Sequence, residues 1–192
     1  MRHNFFRGLS LFSCFGILSF FQIVAAAAIA DSSNKPNFSG NWTLDVGAST
    51  SIDPLMKHIE AGLLDRIYVA CAKLKANLHQ NGDLLTIATS GPGFVLAQTL
   101  YLDGRTNADN LRLFGATSVS AKTTWSKDYK QLVEIHQIKT TQGKDGQLTI
   151  VRSLTDQGNS LVVVLTVQLN GQPDKLVARQ LWRKEASAAW NQ

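Results

Sequence analysis

The stretch Leu74-Lys75-Ala76-Asn77-Leu78-His79-Gln80-Asn81-Gly82-Asp83-Leu84-Leu85-Thr86-Ile87 alternates apolar and polar residues on both sides of an Asn-Gly pair. A period of two sets Leu74, Ala76 and Leu78 on one face of a strand, and Leu85 and Ile87 resume it on the next. Asn81-Gly82 accepts the left-handed backbone of a tight turn, so the two strands form an antiparallel hairpin. Gly91-Pro92-Gly93 then stops the second strand. The same grammar runs to the end of the chain. Strands are expected at Phe94 to Leu102, Ser118 to Trp125, Gln131 to Thr140, Gln147 to Leu154, Ser160 to Leu169 and Leu176 to Arg183. Turns at Asp103-Gly104, Asp145-Gly146, Gln157-Gly158-Asn159 and Asn170-Gly171 separate them. A weaker strand is expected near Leu111 to Gly115.

Upstream of the hairpin, Phe38-Ser39-Gly40-Asn41-Trp42-Thr43-Leu44-Asp45 reads as a first strand with a glycine at its entrance and with Trp42 and Leu44 on one side. Asp53-Pro54 supplies an N-cap and a proline at N1 for a helix in which Leu55, Ile59 and Leu63 recur on one face. Gly62 interrupts this helix, and Leu64, Ile67 and Cys71 form a second apolar stripe reaching about Ala72. A strand-rich chain with one helix pair and no crossover helices makes an antiparallel meander. Closing such a sheet removes its edges, and the run of short sequential turns favours a barrel over a two-sheet sandwich. The expected fold is mainly β: an antiparallel up-and-down barrel of eight to ten strands under a short helix-turn-helix lid at 54–72.

The first thirty residues have a different composition. Arg2, His3 and Arg7 precede an almost wholly apolar run from Leu9 to Ile29, and Ala28-Ile29-Ala30 offers small residues at the −3 and −1 positions of a cleavage site. A secretory signal over 1–30 and a single exported domain over 31–192, periplasmic or secreted, are expected. A retained membrane anchor and lipidation at Cys14 are the alternatives; no stable transmembrane domain is expected after processing. Without Arg2 and Arg7 the balance is 17 Lys and Arg to 14 Asp and Glu, scattered without a basic block. Nucleic-acid binding would need basic residues gathered with stacking aromatics, so it is not expected. Cys71 alone survives processing, which excludes an internal disulfide and suits a buried thiol acting as a small hydrophobe.

Gly40-Asn41-Trp42, the helix pair, Asn81-Gly82-Asp83-Leu84-Leu85-Thr86-Ile87, Asp103-Gly104-Arg105-Thr106 and Leu181-Trp182-Arg183-Lys184-Glu185 together resemble the calycin superfamily. The order of elements is similar to the fatty-acid-binding, or intracellular lipid-binding, proteins and to exported bacterial lipocalin-like domains. The resemblance implies a calycin-like barrel and an interior ligand. Fatty-acid-binding proteins hold a carboxylate with an inward R-x-Y pair in the last strand. Aligning their tyrosine with Trp182 puts Gln180 at the arginine position, and Arg179 falls on the opposite face.

In a barrel, Phe94, Leu96, Gln98 and Leu100 share a surface with Leu161, Val163 and Leu165, which suits a small hydrophobic ligand. Arg152 shares parity with Leu148, Ile150 and Leu154 and is either an inward polar anchor or a surface arginine. The candidate ligand-binding residues are thus Phe94, Leu96, Gln98, Arg152, Val163, Gln180 and Trp182, with entry expected beside Leu55, Met56 and Ile59. His58, His79 and His136 are scattered and read as ordinary polar positions; neither Glu60 nor Glu134 completes a metal motif with its nearest histidine. Ser39, Ser118 and Ser160 lack a G-x-S-x-G elbow, and no carboxylate pair stands out, so no catalytic residues, metal or cofactor are expected. Asn37 and Asn41 match the glycosylation pattern, which has no meaning in a bacterial source. The expected function is non-catalytic binding or carriage of a small hydrophobic ligand in the cell envelope. The alternative is a structural or protein-interaction domain with a solid core.

Overall fold

Trp42, fully buried, anchors the first strand, β1 (Gly40–Asp45), while Asn41 beside it faces solvent. The computed structural model describes residues 35–186 except 72, 109–111 and 114. The leader at 1–30 and the side chain of Cys71 therefore lie outside the described residues. After β1 come α1 (Asp53–His58) and α2 (Leu63–Cys71), then β2 (Lys75–Asn81), β3 (Leu84–Gly91), β4 (Phe94–Tyr101), β5 (Thr106–Ala108) and β6 (Arg112–Leu113). The remainder is β7 (Ala116–Trp125), β8 (Gln131–Lys139), β9 (Asp145–Thr155), β10 (Ser160–Leu169) and β11 (Leu176–Lys184).

All of these strands belong to one antiparallel sheet, ordered β4-β3-β2-β1-β11-β10-β9-β8-β7-β5, with β6 also on β7. The quoted hairpin pairs Asn81 with Leu84 and Leu78 with Ile87, as the Asn-Gly turn dictates. The ladder between β1 and β11 joins the two ends of the described chain, with Leu44 opposite Trp182. Alternate residues of the curved sheet enter a single core, and fully burying a leucine such as Leu85, Leu132 or Leu148 contributes about 1.5–3 kcal/mol.

The expected closed barrel is corrected to an open half-barrel. Among the described residues no ladder joins β4 to β5 or β7, so hydrogen bonding stops at two edges. The walls there are mixed: Gln98, Thr99, Tyr101, Thr106, Asn107, Thr123 and His136 line the gap together with Ala97, Leu100, Ala108 and Ala121. Polar side chains keep their hydration in an opening, which weakens the drive to seal it.

Two smaller expectations change as well. Ile52, not Asp53, occupies the N-cap of α1 and makes no side-chain cap. The Asp53 carboxylate instead receives Arg66 Nε and Nη2 from α2 at 2.7 and 2.9 Å, clasping the two helices. Asp145-Gly146 is not a turn but the start of β9. A Cβ on Gly146 would lie 2.7 Å from the Gln168 oxygen and Leu169, so glycine is required there for close strand approach.

The lid is built unevenly. Leu55, Met56 and Ile59 are plugged into the core, and Glu60 receives Lys144 Nζ at 2.6 Å from the β8–β9 turn. Gly115 has φ of +99°, and a Cβ there would meet Ala61 Cα at 2.9 Å, so the chain before β7 presses directly on the link between α1 and α2. By contrast, Leu63, Leu64 and Ile67 of α2 are exposed. Leu64 and Ile67 of the second apolar stripe thus face outward, while Val69 of the same helix packs against the core.

Candidate functional site

Inside the curve of the sheet lies a cavity of about 810 Å³. Leu74, Ala76, Leu78 and Ile87 form one wall; Ile150, Leu161, Val163 and Leu165 form the other. Each set comes from alternate positions, because a strand sends every second side chain to the same face. All seven candidate residues, Phe94, Leu96, Gln98, Arg152, Val163, Gln180 and Trp182, line this one cavity. Asp65, Pro92, Gly93, Val95 and Arg112 line it too and are exposed, marking the mouth between α2 and the β3–β4 turn. The expected entry beside Leu55, Met56 and Ile59 is therefore corrected. Those three are buried, and only Met56 among them reaches the cavity.

The β10–β11 ladder is regular, pairing Val163 with Gln180 and Val164 with Arg179. Gln180 is accordingly buried against the cavity, with its Oε1 accepting from Trp182 Nε1 at 3.3 Å, whereas Arg179 is exposed. Gln98 reaches both the cavity and the polar gap, and its buried Oε1 has no hydrogen-bond partner.

Arg152 is a buried arginine, not a surface one. Its Nη1 donates to Glu134 Oε2; Glu134 Oε1 lies 2.5 Å from His136 Nε2, and His136 Nδ1 lies 2.8 Å from Ser118 Oγ. Both Glu134 and Ser118 are fully buried, and His136 is nearly so. With the proton on Nε2, His136 donates to the carboxylate and accepts from the serine hydroxyl. Burial alone would raise the Glu134 pKa, but the Arg152 guanidinium and the His136 hydrogen bond outweigh it and hold the group at about 2.

The reading of His136 as an ordinary polar position, and of Glu134 as a carboxylate that completes no metal motif, did not contain this chain. The signal was present: both alternate with Leu132 and Ile138, which places all four on the inward face of β8. Ser118 was less legible. A bulge shifts the β7 register between Ser118 and Ser120, so Ser118 shares the inner face with Thr123 despite its opposite parity.

The order Ser118–His136–Glu134 invites comparison with a nucleophilic triad. However, Ser118 lines neither the cavity nor the gap and is fully buried, so a substrate has no path to its Oγ. Among the described residues, no group of three or more His, Cys, Asp or Glu is placed to hold a metal ion.

No protein-family model matches the sequence, and no curated protein matches it significantly. Solved structures do. A protein described as the REP1-NXSQ fatty acid transporter superposes with a TM-score of 0.56 at 19% identity, over 78% of this chain and 96% of the other. Human cRBP IV superposes with a TM-score of 0.58 at 20% identity, over 78% of this chain and 99% of the other. At such identities the likeness is one of fold: the described chain has the fold of these two proteins.

Proposed function

We propose that this protein is a non-catalytic carrier that holds a small hydrophobic ligand inside the half-barrel. The observation that carries the reading is the roughly 810 Å³ cavity, walled by alternate apolar residues of β2, β3, β9 and β10 and opened beside α2. Its size falls within the range of about 300–1,000 Å³ common to small-molecule sites. A ligand filling it gains about 25 cal/mol for each Å² of apolar surface removed from water. The fatty acid transporter of similar fold supports the same reading.

Native mass spectrometry of the unheated protein, followed by lipid extraction, tests it directly. A co-purifying apolar molecule is expected. Protein that stays empty and takes up no lipid would instead favour the structural or interaction domain. Phe94→Ala, Val163→Ala and Gln180→Ala should each weaken binding severalfold, while Lys130→Ala, on the exposed β7–β8 turn, should not. Equal effects at all four positions would sink the assignment of the interior.

The carrier acts in this proposal as an exported protein, since Arg2, Arg7 and the apolar run before Ala30 have the form of a secretory signal. Among the described residues, no helix is long and apolar enough to cross a membrane. Intact-mass measurement should find the exported form beginning at Asp31. Retention of residues 1–30 would overturn the cleavage.

A further inference from the structure

The cavity's ionic groups are balanced before any ligand enters. Arg152 is its inner cation, and Glu134 answers it from behind the cavity wall. At the mouth, Arg112 faces Asp65 at 3.9 Å, with both side chains largely in solvent, where such a pair contributes little. Among the described residues, no lysine lines the cavity. An ionised head group moved inside would lose its hydration and meet an arginine whose charge is already compensated, with the Glu134 carboxylate close behind it.

What the interior does offer is neutral hydrogen bonding. Gln98 Oε1 is a buried acceptor with no partner among the described residues, and the Gln180 amide lines the same cavity. A buried acceptor left unmatched costs free energy that a donor from the ligand would recover. Resting on the carrier reading, we infer that the ligand is uncharged and carries a hydroxyl: an aliphatic alcohol whose O–H donates to Gln98 Oε1 while its chain fills the apolar walls. The Arg152–Glu134–His136–Ser118 chain is then a selectivity device. It retains a polar patch in the cavity while cancelling the charge that would otherwise attract a carboxylate.

The probes are oleyl alcohol and oleate, equal in chain length, titrated into delipidated protein at pH 8 by displacement of the uncharged dye Nile red. Oleyl alcohol is expected to bind at least about tenfold more tightly, the factor that corresponds to one net hydrogen bond. Glu134→Gln leaves Arg152 uncompensated and should move the preference toward oleate by about tenfold or more. Gln98→Leu should reduce the preference for the alcohol to within about threefold without creating any for the acid.

Oleate binding as tightly as the alcohol, or more tightly, overturns the inference and leaves carriage intact. Failure of both probes to bind, together with no co-purifying lipid, overturns carriage and the head-group inference with it. Should Glu134→Gln not fold, Gln98→Leu keeps the test sharp, because position 98 is only half-buried: a preference unchanged by that variant rules out the hydroxyl contact.

Discussion

Glu134→Ala is expected to cost about 3–5 kcal/mol of folding stability, the range for breaking a buried ion pair by removing one partner. The cost comes from what remains. Arg152 keeps its charge beside an apolar cavity, and His136 Nε2 loses its acceptor. Replacing both members of the pair, as in Glu134→Leu with Arg152→Met, should recover most of the loss, since it leaves no unpaired charge. Denaturant midpoints for the two variants check this directly. A double variant no more stable than Glu134→Ala would show that the polar chain organises the core through more than charge balance.

The same group sets an acid limit. Its pKa falls from an ordinary 4.5 to about 2 on folding, so its contribution is fully present above pH 4.5 and lost as pH falls through about 2. The stability gap between wild type and Glu134→Ala should therefore narrow across that window. A gap constant from pH 5 to pH 2 would contradict the burial and pairing of Glu134.

The second large effect is expected at Trp42. Trp42→Ala should destabilise the protein by about 3–5 kcal/mol, as large-to-small changes of buried aromatics do. The ring is fully buried, its Nε1 donates to the Phe38 carbonyl at 3.1 Å, and Lys184 lies 5.4 Å above it from β11. Removing it opens a cavity where β1 joins the last strand. Trp42→Phe, which keeps much of the volume and loses the indole donor, should cost distinctly less. Equal midpoints for the two variants would mean that the hydrogen bond to Phe38, and not the packing, holds this junction.

The position of Trp42 illustrates how much was legible beforehand. Alternation alone places Trp42, Leu78, Ile87, Val163 and Trp182 inward, because a strand's two-residue period is a local property of the backbone. The same rule set Phe94, Leu96, Gln98, Arg152 and Gln180 on the inner surface, where the structure brings them around one cavity. It also contained Glu134 and His136. Taking His136 as an ordinary polar position, and Glu134 as a carboxylate that completes no metal motif, left out what their parity already said. Ser118 could not be placed by parity, because the bulge that turns it inward is a property of two paired strands.

By itself, then, the sequence determined most of the local quantities: strand periodicity, the hairpin turn at Asn81-Gly82, the interruption at Gly62 and, away from the β7 bulge, the side of each strand on which a residue stands. Only the tertiary structure decided whether the sheet closed, which helix became the plug and which the exposed flank, and what the inward polar groups met. Closure depends on whether β4 and β7 seal a gap lined by groups that hydration favours. The fate of Arg152 depends on Glu134, eighteen positions away along the chain and brought to hydrogen-bonding distance by the β8–β9 pairing. Charge compensation in a buried site belongs to a pair of residues in space, and neither residue's own sequence environment contains it.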